Sequence, residues 1–264
     1  MKLFASDFDG TIRRYDRNVP YILEEDKKAI EAFRNNGNLF GMCSGRAFDS
    51  ILKEAHEMPY ADFYIVSTGA VIGRVNKGRM ELSYEQCVSR EYARDLYERF
   101  GKDQKVFYVH LDGYLYRIGR SEGGETAQNF IASFDQLPDG HIQGVSIGTD
   151  SNDTAFRITN AINQLYPDVS AFQNNDYLDT VKRGCSKGGG IIRLRGMYEA
   201  DLIGGIGDSF NDIPLLDEAD VSFTFDFSDE RVKAHADYIV KSVAEALDIF
   251  SKLGAIKLDG ISHR

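Results

Sequence analysis

Asp7-Phe8-Asp9-Gly10-Thr11 follows the apolar run Leu3-Phe4-Ala5 near the start of the chain. The apolar run predicts a short buried strand, and two carboxylates two residues apart mark the end of that strand. Two acids at this spacing can bind a hard cation such as Mg²⁺. They can also act as a nucleophile and a general acid or base. A solvated acidic turn is the plainer interpretation of such a pair taken alone.

The same pattern repeats along the first 80 residues, which alternate predicted strands and helices. A helix is predicted over residues 26–33, and a strand over 38–43 ends in Ser44-Gly45-Arg46. A third strand over 63–66 ends in Ser67-Thr68-Gly69-Ala70. This alternation predicts a doubly wound parallel sheet, and the polar loops that follow its strands collect at the carboxyl edge, where ligands bind.

The middle of the chain has a different pattern. Strands are predicted over 106–109 and 114–118 around the hairpin turn Asp112-Gly113, and helices and further strands follow. About a hundred residues with their own strands and helices are too many for a loop. We therefore predict an α/β fold: a Rossmann-like doubly wound parallel sheet core, residues 1–82 and 184–264, with an α+β cap domain, residues 83–183, inserted after the third strand.

A second group of candidate residues lies after residue 184, where the alternation of strand and helix returns. Asp208 and Asp212 follow an apolar strand predicted over 201–206, and acids there suit a helix N-terminus as well as a metal site. Lys187 lies in a glycine-rich stretch that suits either an anion site or a flexible linker. Four carboxylates at one sheet edge would repel one another, and a divalent cation is the simplest compensation.

Ser44-Gly45-Arg46 offers a hydroxyl, a backbone N–H and a guanidinium at the end of the second predicted strand. Converging donors of this kind suit the oxygens of a phosphate group. On its own, Ser44 is more typical of a helix cap.

Composition and charge exclude several classes of protein. The 264 residues carry a formal net charge of −10, which argues against nucleic acid or an anionic membrane surface as a partner. Three widely spaced cysteines predict neither a disulfide framework nor a zinc site. The sequence has no apolar run of membrane-spanning length and no secretory signal pattern. We expect a cytoplasmic protein that is a monomer or a weak homo-oligomer.

The chain carries four ordered motifs that resemble those of the haloacid dehalogenase-like hydrolase superfamily: Asp7-Phe8-Asp9-Gly10-Thr11, Ser44-Gly45-Arg46, Lys187 and Gly207-Asp208-Ser209-Phe210-Asn211-Asp212. The insertion between the second and third motifs resembles the large α/β cap of the Cof-like, sugar-phosphatase branch. One departure is Thr68-Gly69, because many relatives have Asn-Gly at that place.

The resemblance implies a Mg²⁺-dependent phosphatase that hydrolyses a small phosphorylated metabolite, expected to be a sugar phosphate, through an aspartyl-phosphate. Asp7 would be the nucleophile, and Asp9 would protonate the leaving oxygen and then activate water. The Mg²⁺ would be held by the Asp7 side chain, the Asp9 backbone carbonyl and Asp208.

The same resemblance implies the residues around this centre. The residues that would bind phosphate oxygens are Ser44, Gly45, Lys187 and Asn211. We add Arg46 to them, because its guanidinium is one of the donors at the end of the second predicted strand. Thr11 is expected to fix Asp9, and Asp212 to orient Lys187 or a metal-bound water. Two alternatives stay open: a phosphomutase that returns the phosphoryl group to a sugar, and a phosphometabolite sensor that has lost catalysis.

Overall fold

The computed structural model describes residues 1–17, 19–54, 61–77, 79–119 and 129–254; the last ten residues of the predicted core, 255–264, lie outside these ranges. The strands are β1 (Lys2–Ser6), β2 (Arg13–Asp16), β3 (Val19–Ile22), β4 (Leu39–Cys43), β5 (Phe63–Val66), β6 (Val71–Asn76), β7 (Arg79–Glu85), β8 (Val106–Leu111), β9 (Tyr114–Ile118), β10 (Phe130–Ile131), β11 (Ile142–Gly148), β12 (Val169–Asn174), β13 (Tyr177–Lys182), β14 (Leu202–Ile206), β15 (Val221–Phe225) and β16 (Tyr238–Val240). The helices are α1 (Glu24–Asn35), α2 (Phe48–Glu54), α3 (Arg90–Leu96), α4 (Asn152–Leu165), α5 (Lys187–Tyr198), α6 (Ile213–Glu218), α7 (Glu230–Lys233) and α8 (Val243–Lys252). Within the described ranges, none of the helices combines the length and the apolar composition that crossing a membrane requires.

Eight strands form the larger sheet, in the order β16-β15-β14-β1-β4-β5-β6-β7. Neighbouring strands run parallel from β16 to β5, and β6 and β7 continue the sheet antiparallel. The predicted parallel, doubly wound sheet is therefore confirmed. The β6–β7 hairpin was not predicted. We expected the chain to leave the sheet directly after the third strand, β5, but it first adds this hairpin to the sheet.

Helices cover both faces of the larger sheet, as its apolar parallel strands require. On one face, Phe33 of α1 and Phe250 of α8 pack against Phe4 of β1, whose ring centroid lies 5.3 Å from that of Phe250. On the other face, Leu3 of β1 packs in one cluster with Ile191 of α5 and Leu215 of α6. β1 is thus buried from both sides, and this fixes the position of the loop that follows it.

Six strands form a second sheet, in the order β10-β9-β8-β11-β13-β12. The predicted hairpin turn is confirmed, because Asp112 and Gly113 join β8 to β9 with positive φ values of 49° and 83°. Side chains alternate along β8, so Phe107 and Val109 enter a cluster with residues of α3 and α4 while His110 points to the opposite face.

The second sheet lies wholly within the stretch predicted as a cap. The division into residues 1–82 with 184–264 and residues 83–183 stays a prediction. Its first boundary falls inside β7, which remains paired to β6 as far as Glu85.

Phe250 tests the packing of α8 on the larger sheet. Its side chain is fully buried, so we expect Phe250→Ala to lower the free energy of unfolding by about 3–5 kcal/mol, measured by urea denaturation. Phe156→Ala is the control, because Phe156 on α4 is 57% exposed, and we expect it to change that free energy by less than about 0.5 kcal/mol. Equal losses in the two variants would contradict the packing described here.

Candidate active site

The predicted site residues come together at the carboxyl edge of the larger sheet. β1 is paired to β14 on one side and to β4 on the other, so the loops that follow these three strands are neighbours. Together with strands of the smaller sheet, these loops enclose a cavity of about 440 Å³, a size usual for a small-molecule site. Its lining includes six of the predicted site residues: Asp7, Asp9, Ser44, Gly45, Arg46 and Asn211.

Lys187 is almost wholly buried beside this cavity, with 1% of its surface exposed. The hydroxyl of Ser186 caps α5 by accepting the backbone N–H of Gly189 at 2.9 Å, so Lys187 is the first residue of the helix. Its Nζ donates to Asp7 Oδ1 and to Asp212 Oδ1, both at 2.5 Å. Because a buried ammonium is stable only when paired, these contacts tie the start of α5 to the loops after β1 and β14.

Asp212 and Thr11 hold the loop that carries Asp208. The second oxygen of Asp212 accepts the backbone N–H groups of Asp208 and Ser209, each at 3.0 Å. The hydroxyl of Thr11 donates to Asp208 Oδ1 at 3.0 Å. The single hydroxyl hydrogen of Thr11 is thus directed to the neighbouring loop, and the expected role of Thr11 in fixing Asp9 stays a prediction.

The glycine after the first motif makes this contact between loops possible. Gly10 has a φ of +84°, and a Cβ added there would lie 2.6 Å from Asp208 Oδ2. Only glycine adopts this backbone conformation freely and leaves room for the Asp208 carboxylate.

Three carboxylates at this edge could hold a metal ion. Oxygen atoms of Asp7, Asp208 and Asp212 all lie within 4.8 Å of one another, and Lys187 supplies one positive charge against three negative ones. Burial and the neighbouring Asp212 raise the pKa of Asp7 well above its usual value, and the same causes raise the pKa of Asp208 to about 7. Excess negative charge and oxygen donors fit a hard divalent cation. Asp212 already engages both its oxygens, so Asp7 and Asp208 remain as the carboxylate ligands.

Asp9 faces a different set of partners. Arg46 donates to its two oxygens from Nε at 2.5 Å and from a terminal nitrogen at 2.9 Å, and the Tyr15 hydroxyl donates at 2.8 Å. Burial alone would raise the pKa of Asp9, but Arg46, the Tyr15 hydroxyl and the charge of Arg13 together outweigh it and hold that pKa below its usual value. The prediction of Arg46 as a phosphate ligand did not foresee this pairing, which arises because the loops after β1 and β4 are adjacent.

The remaining predicted residues lie on the cavity wall. The hydroxyl of Ser44 accepts the backbone N–H of Arg46 at 3.2 Å, a local turn contact of the kind that the cap interpretation favours. Asn211 Oδ1 lies 3.3 Å from the hydroxyl of Ser209, which also donates to Asn174 Oδ1 on β12 at 2.9 Å.

Sequence analysis missed three polar residues on the side of the cavity formed by the smaller sheet. His110, Ser146 and Asp179 line the cavity there, and none of them was singled out. Tyr15 was missed as well, because the β2–β3 hairpin that carries it was not predicted. For His110 a signal was present. The apolar residues of β8 alternate along the strand, and His110 lies between two of them, which places a polar side chain on the face opposite the apolar cluster.

The fold and the site define a hydrolase with an acidic, lysine-containing centre at the carboxyl edge of a parallel sheet. Residues 4–247 match the family of haloacid dehalogenase-like hydrolases, and the chain belongs to this family. A relative from Streptococcus pyogenes serotype M6, named as a bifunctional phosphatase and peptidyl-prolyl cis-trans isomerase, is 23% identical over 260 residues. That match covers 93% of this chain and 52% of the relative, so the chain spans about half the relative's length.

Solved structures share the fold over nearly the whole chain. A haloacid dehalogenase-like hydrolase from B. subtilis superposes with a TM-score of 0.79 at 16% identity and covers 96% of this chain and 100% of its own. A Cof-like hydrolase from Plasmodium vivax gives 0.78 at 19% identity, with 94% and 95% covered. A subclass IIB sugar phosphatase gives 0.76 at 20% identity, with 96% and 100% covered. At these identities the likeness concerns the fold.

The buried ion pairs of Lys187 generate a prediction on stability. Lys187→Met leaves Asp7 and Asp212 without their counter-ion, and we expect the free energy of unfolding to fall by about 3–5 kcal/mol at neutral pH. A carboxylate whose pKa is higher in the folded than in the unfolded state binds a proton more tightly in the folded state. Lowering the pH therefore stabilises the folded form of this variant. The loss in free energy of unfolding relative to the parent protein should therefore shrink as the pH is lowered from roughly 7.5 towards roughly 5.5. Urea denaturation at each pH measures it.

The matched control is Lys252→Met, which breaks an exposed pair between Lys252 and Asp248 on α8. A surface pair of this kind contributes less than about 1 kcal/mol. A Lys187→Met protein as stable as its parent, or one whose deficit grows on acidification, would contradict the arrangement.

Proposed function

We propose that this hydrolase is a Mg²⁺-dependent phosphatase acting on a small phosphorylated metabolite, in the first place a sugar phosphate, through an aspartyl-phosphate. The observation that carries the proposal is the buried contact of Lys187 with Asp7 and Asp212 beside Asp208, at the wall of the cavity. The sugar phosphatase among the solved structures of the same fold also supports the proposal.

Asp7 is suited to attack phosphorus. Lys187 engages its Oδ1, which leaves Oδ2 to form the new P–O bond. Asp7 and Asp208 would hold the Mg²⁺, which would screen the repulsion between the Asp7 carboxylate and an anionic phosphate. The ester bond to the leaving oxygen breaks as the aspartyl-phosphate forms.

Asp9 has to supply a proton to that leaving oxygen, and its pairing with Arg46 opposes protonation. A phosphate bound next to Gly45 attracts the same guanidinium. A shift of Arg46 towards the phosphate removes the strongest of the contacts that lower the pKa of Asp9, so phosphate binding favours the protonated form. Once deprotonated, Asp9 accepts a proton from the water that hydrolyses the aspartyl-phosphate.

Asp7→Asn tests the nucleophile. The amide cannot form the aspartyl-phosphate, so we expect phosphate release from a panel of sugar phosphates with Mg²⁺ to fall by roughly 10⁴- to 10⁶-fold. Asp248→Asn on the surface of α8 is the control and should keep the parent rate, and urea denaturation should show both variants folded. Undiminished release by Asp7→Asn would refute the proposal, and a rearranged sugar phosphate with little free phosphate would identify a mutase.

Metal binding is tested separately from turnover. A ligand present at a hundred times its Kd stabilises the folded state by about 2.7 kcal/mol, so saturating Mg²⁺ should raise the midpoint of thermal unfolding and a chelator should reverse the shift. Asp208→Asn should abolish most of this Mg²⁺-dependent shift, because it removes a carboxylate ligand, whereas Asp248→Asn should keep it. A shift of unchanged size in Asp208→Asn would place the metal elsewhere.

A further inference from the structure

The cavity has a polar roof formed by one face of the smaller sheet. Ser146 of β11 is paired directly with Tyr108 of β8 and with Asp179 of β13, so these three side chains stand in a row on the same face. His110 lies two residues from Tyr108 and joins them on that face. The opposite face of the sheet packs into the apolar cluster with α3 and α4.

A continuous chain of hydrogen bonds crosses from the larger sheet to this roof. Ser67 Oγ lies 3.0 Å from His110 Nδ1, and His110 Nε2 lies 2.9 Å from Ser146 Oγ. Ser146 donates to Asp179 Oδ1 at 2.6 Å, and Thr68 donates to Asp179 Oδ2 at 3.0 Å. Ser67 and Thr68 follow β5, so the chain joins the two sheets at the cavity.

The direction of these hydrogen bonds follows from the atoms involved. Burial raises the pKa of Asp179 above its usual value, and the hydrogen bonds from Ser146 and Thr68 oppose that rise. In its ionised form the carboxylate only accepts, so the one hydroxyl hydrogen of Ser146 goes to Asp179 and the Ser146 oxygen accepts from His110 Nε2. Burial lowers the pKa of His110 to about 4, so the ring is neutral near pH 7 and its Nδ1 accepts from Ser67. Every donor in the chain therefore points towards Asp179.

Asp179 is the end of that chain and opens onto the cavity. Its side chain is partly exposed and lines the cavity wall. A Cβ added to Gly45 would lie 2.4 Å from Asp179 Oδ2, so the carboxylate stands against the backbone of the loop proposed to bind phosphate. A carboxylate accepts about four hydrogen bonds, and the two hydroxyl donors leave further lone pairs for a ligand.

We propose that Asp179 binds a hydroxyl group of the substrate's leaving group, and that Ser146, Thr68 and His110 are positioning residues that hold its carboxylate for this contact. The inference rests on the proposed phosphatase function. It gives the substrate class as monophosphate esters of uncharged, hydroxyl-bearing alcohols such as sugars and polyols.

The charges in the cavity define what this subsite excludes. Asp7, Asp9 and Asp179 all line it, and the Arg46 guanidinium is engaged by Asp9. A leaving group that brings a second phosphate or a carboxylate to this position would set its negative charge against the Asp179 carboxylate, which costs binding. The subsite therefore selects against bisphosphates and phosphorylated acids.

The test compares glycerol 3-phosphate with propyl phosphate, the same three-carbon ester without hydroxyl groups. We expect the parent enzyme to prefer glycerol 3-phosphate in kcat/KM by roughly 10- to 100-fold, the range for a hydrogen bond to a charged group. Asp179→Ala should bring this ratio to within about threefold of one by slowing glycerol 3-phosphate alone. Asp176→Ala, in the turn between β12 and β13, is the control and should keep the parent ratio.

Asp179→Asn gives a second measurement, because it preserves the shape of the side chain and removes its charge. The parent enzyme should disfavour 3-phosphoglycerate relative to glycerol 3-phosphate by roughly tenfold or more, and Asp179→Asn should narrow that gap. Ser146→Ala should reduce the preference for glycerol 3-phosphate only in part, since Thr68 still holds the carboxylate.

The outcomes separate this inference from the proposed function. Equal losses on glycerol 3-phosphate and propyl phosphate in Asp179→Ala, or an unchanged ratio, would show that Asp179 is only structural and overturn the inference. Hydrolysis of p-nitrophenyl phosphate with no preference for glycerol 3-phosphate over propyl phosphate would overturn it as well. No release of phosphate from any of these esters by the parent enzyme would instead refute the phosphatase proposal.

Discussion

The buried ammonium of Lys187 is the constraint on which the rest of the site depends. An uncompensated charge in this position would be too costly, so Lys187 requires both Asp7 and Asp212 at hydrogen-bonding distance. These residues come from opposite ends of the chain, and they meet only when β1 is inserted between β4 and β14. The site therefore exists only in the completed sheet, and the apolar packing on both faces of β1 serves to hold Asp7 in place.

The smaller sheet has one apolar face and one polar face. Phe107, Val109 and Ile147 stabilise it from one side, and Tyr108 and Ser146 face the cavity from the other. The period of two along a strand allows this, because packing and ligand contact then use alternate residues. Residues of the roof can change without disturbing the apolar cluster, while the end of the cavity that is built from the larger sheet stays the same.

The sequence was sufficient for the features that depend on local pattern. The parallel strands were recognisable as short apolar runs that end in polar loops, and the hairpin at Asp112-Gly113 was recognisable from its turn residues. The β2–β3 hairpin escaped prediction because Arg13–Asp16 is polar throughout and gives no alternating signal. Contacts between side chains far apart in the sequence could not be predicted. No residue near Arg46 indicates that it contacts Asp9, and none near Thr11 indicates that it contacts Asp208.

The loop after β5 shows how the two sheets depend on each other. Ser67 and Thr68 both have positive φ, 47° and 52°, a conformation that costs a residue with a Cβ about 1–3 kcal/mol. Backbone bonds from Ser67 to the carbonyl of Arg46 and from Thr68 to that of Ser44 hold the loop against the β4 loop. In this conformation the hydroxyls of Ser67 and Thr68 reach His110 and Asp179 on the smaller sheet. The unfavourable backbone is thus compensated by contacts on both sides, and it sets the distance between the roof and the end of the cavity that is built from the larger sheet.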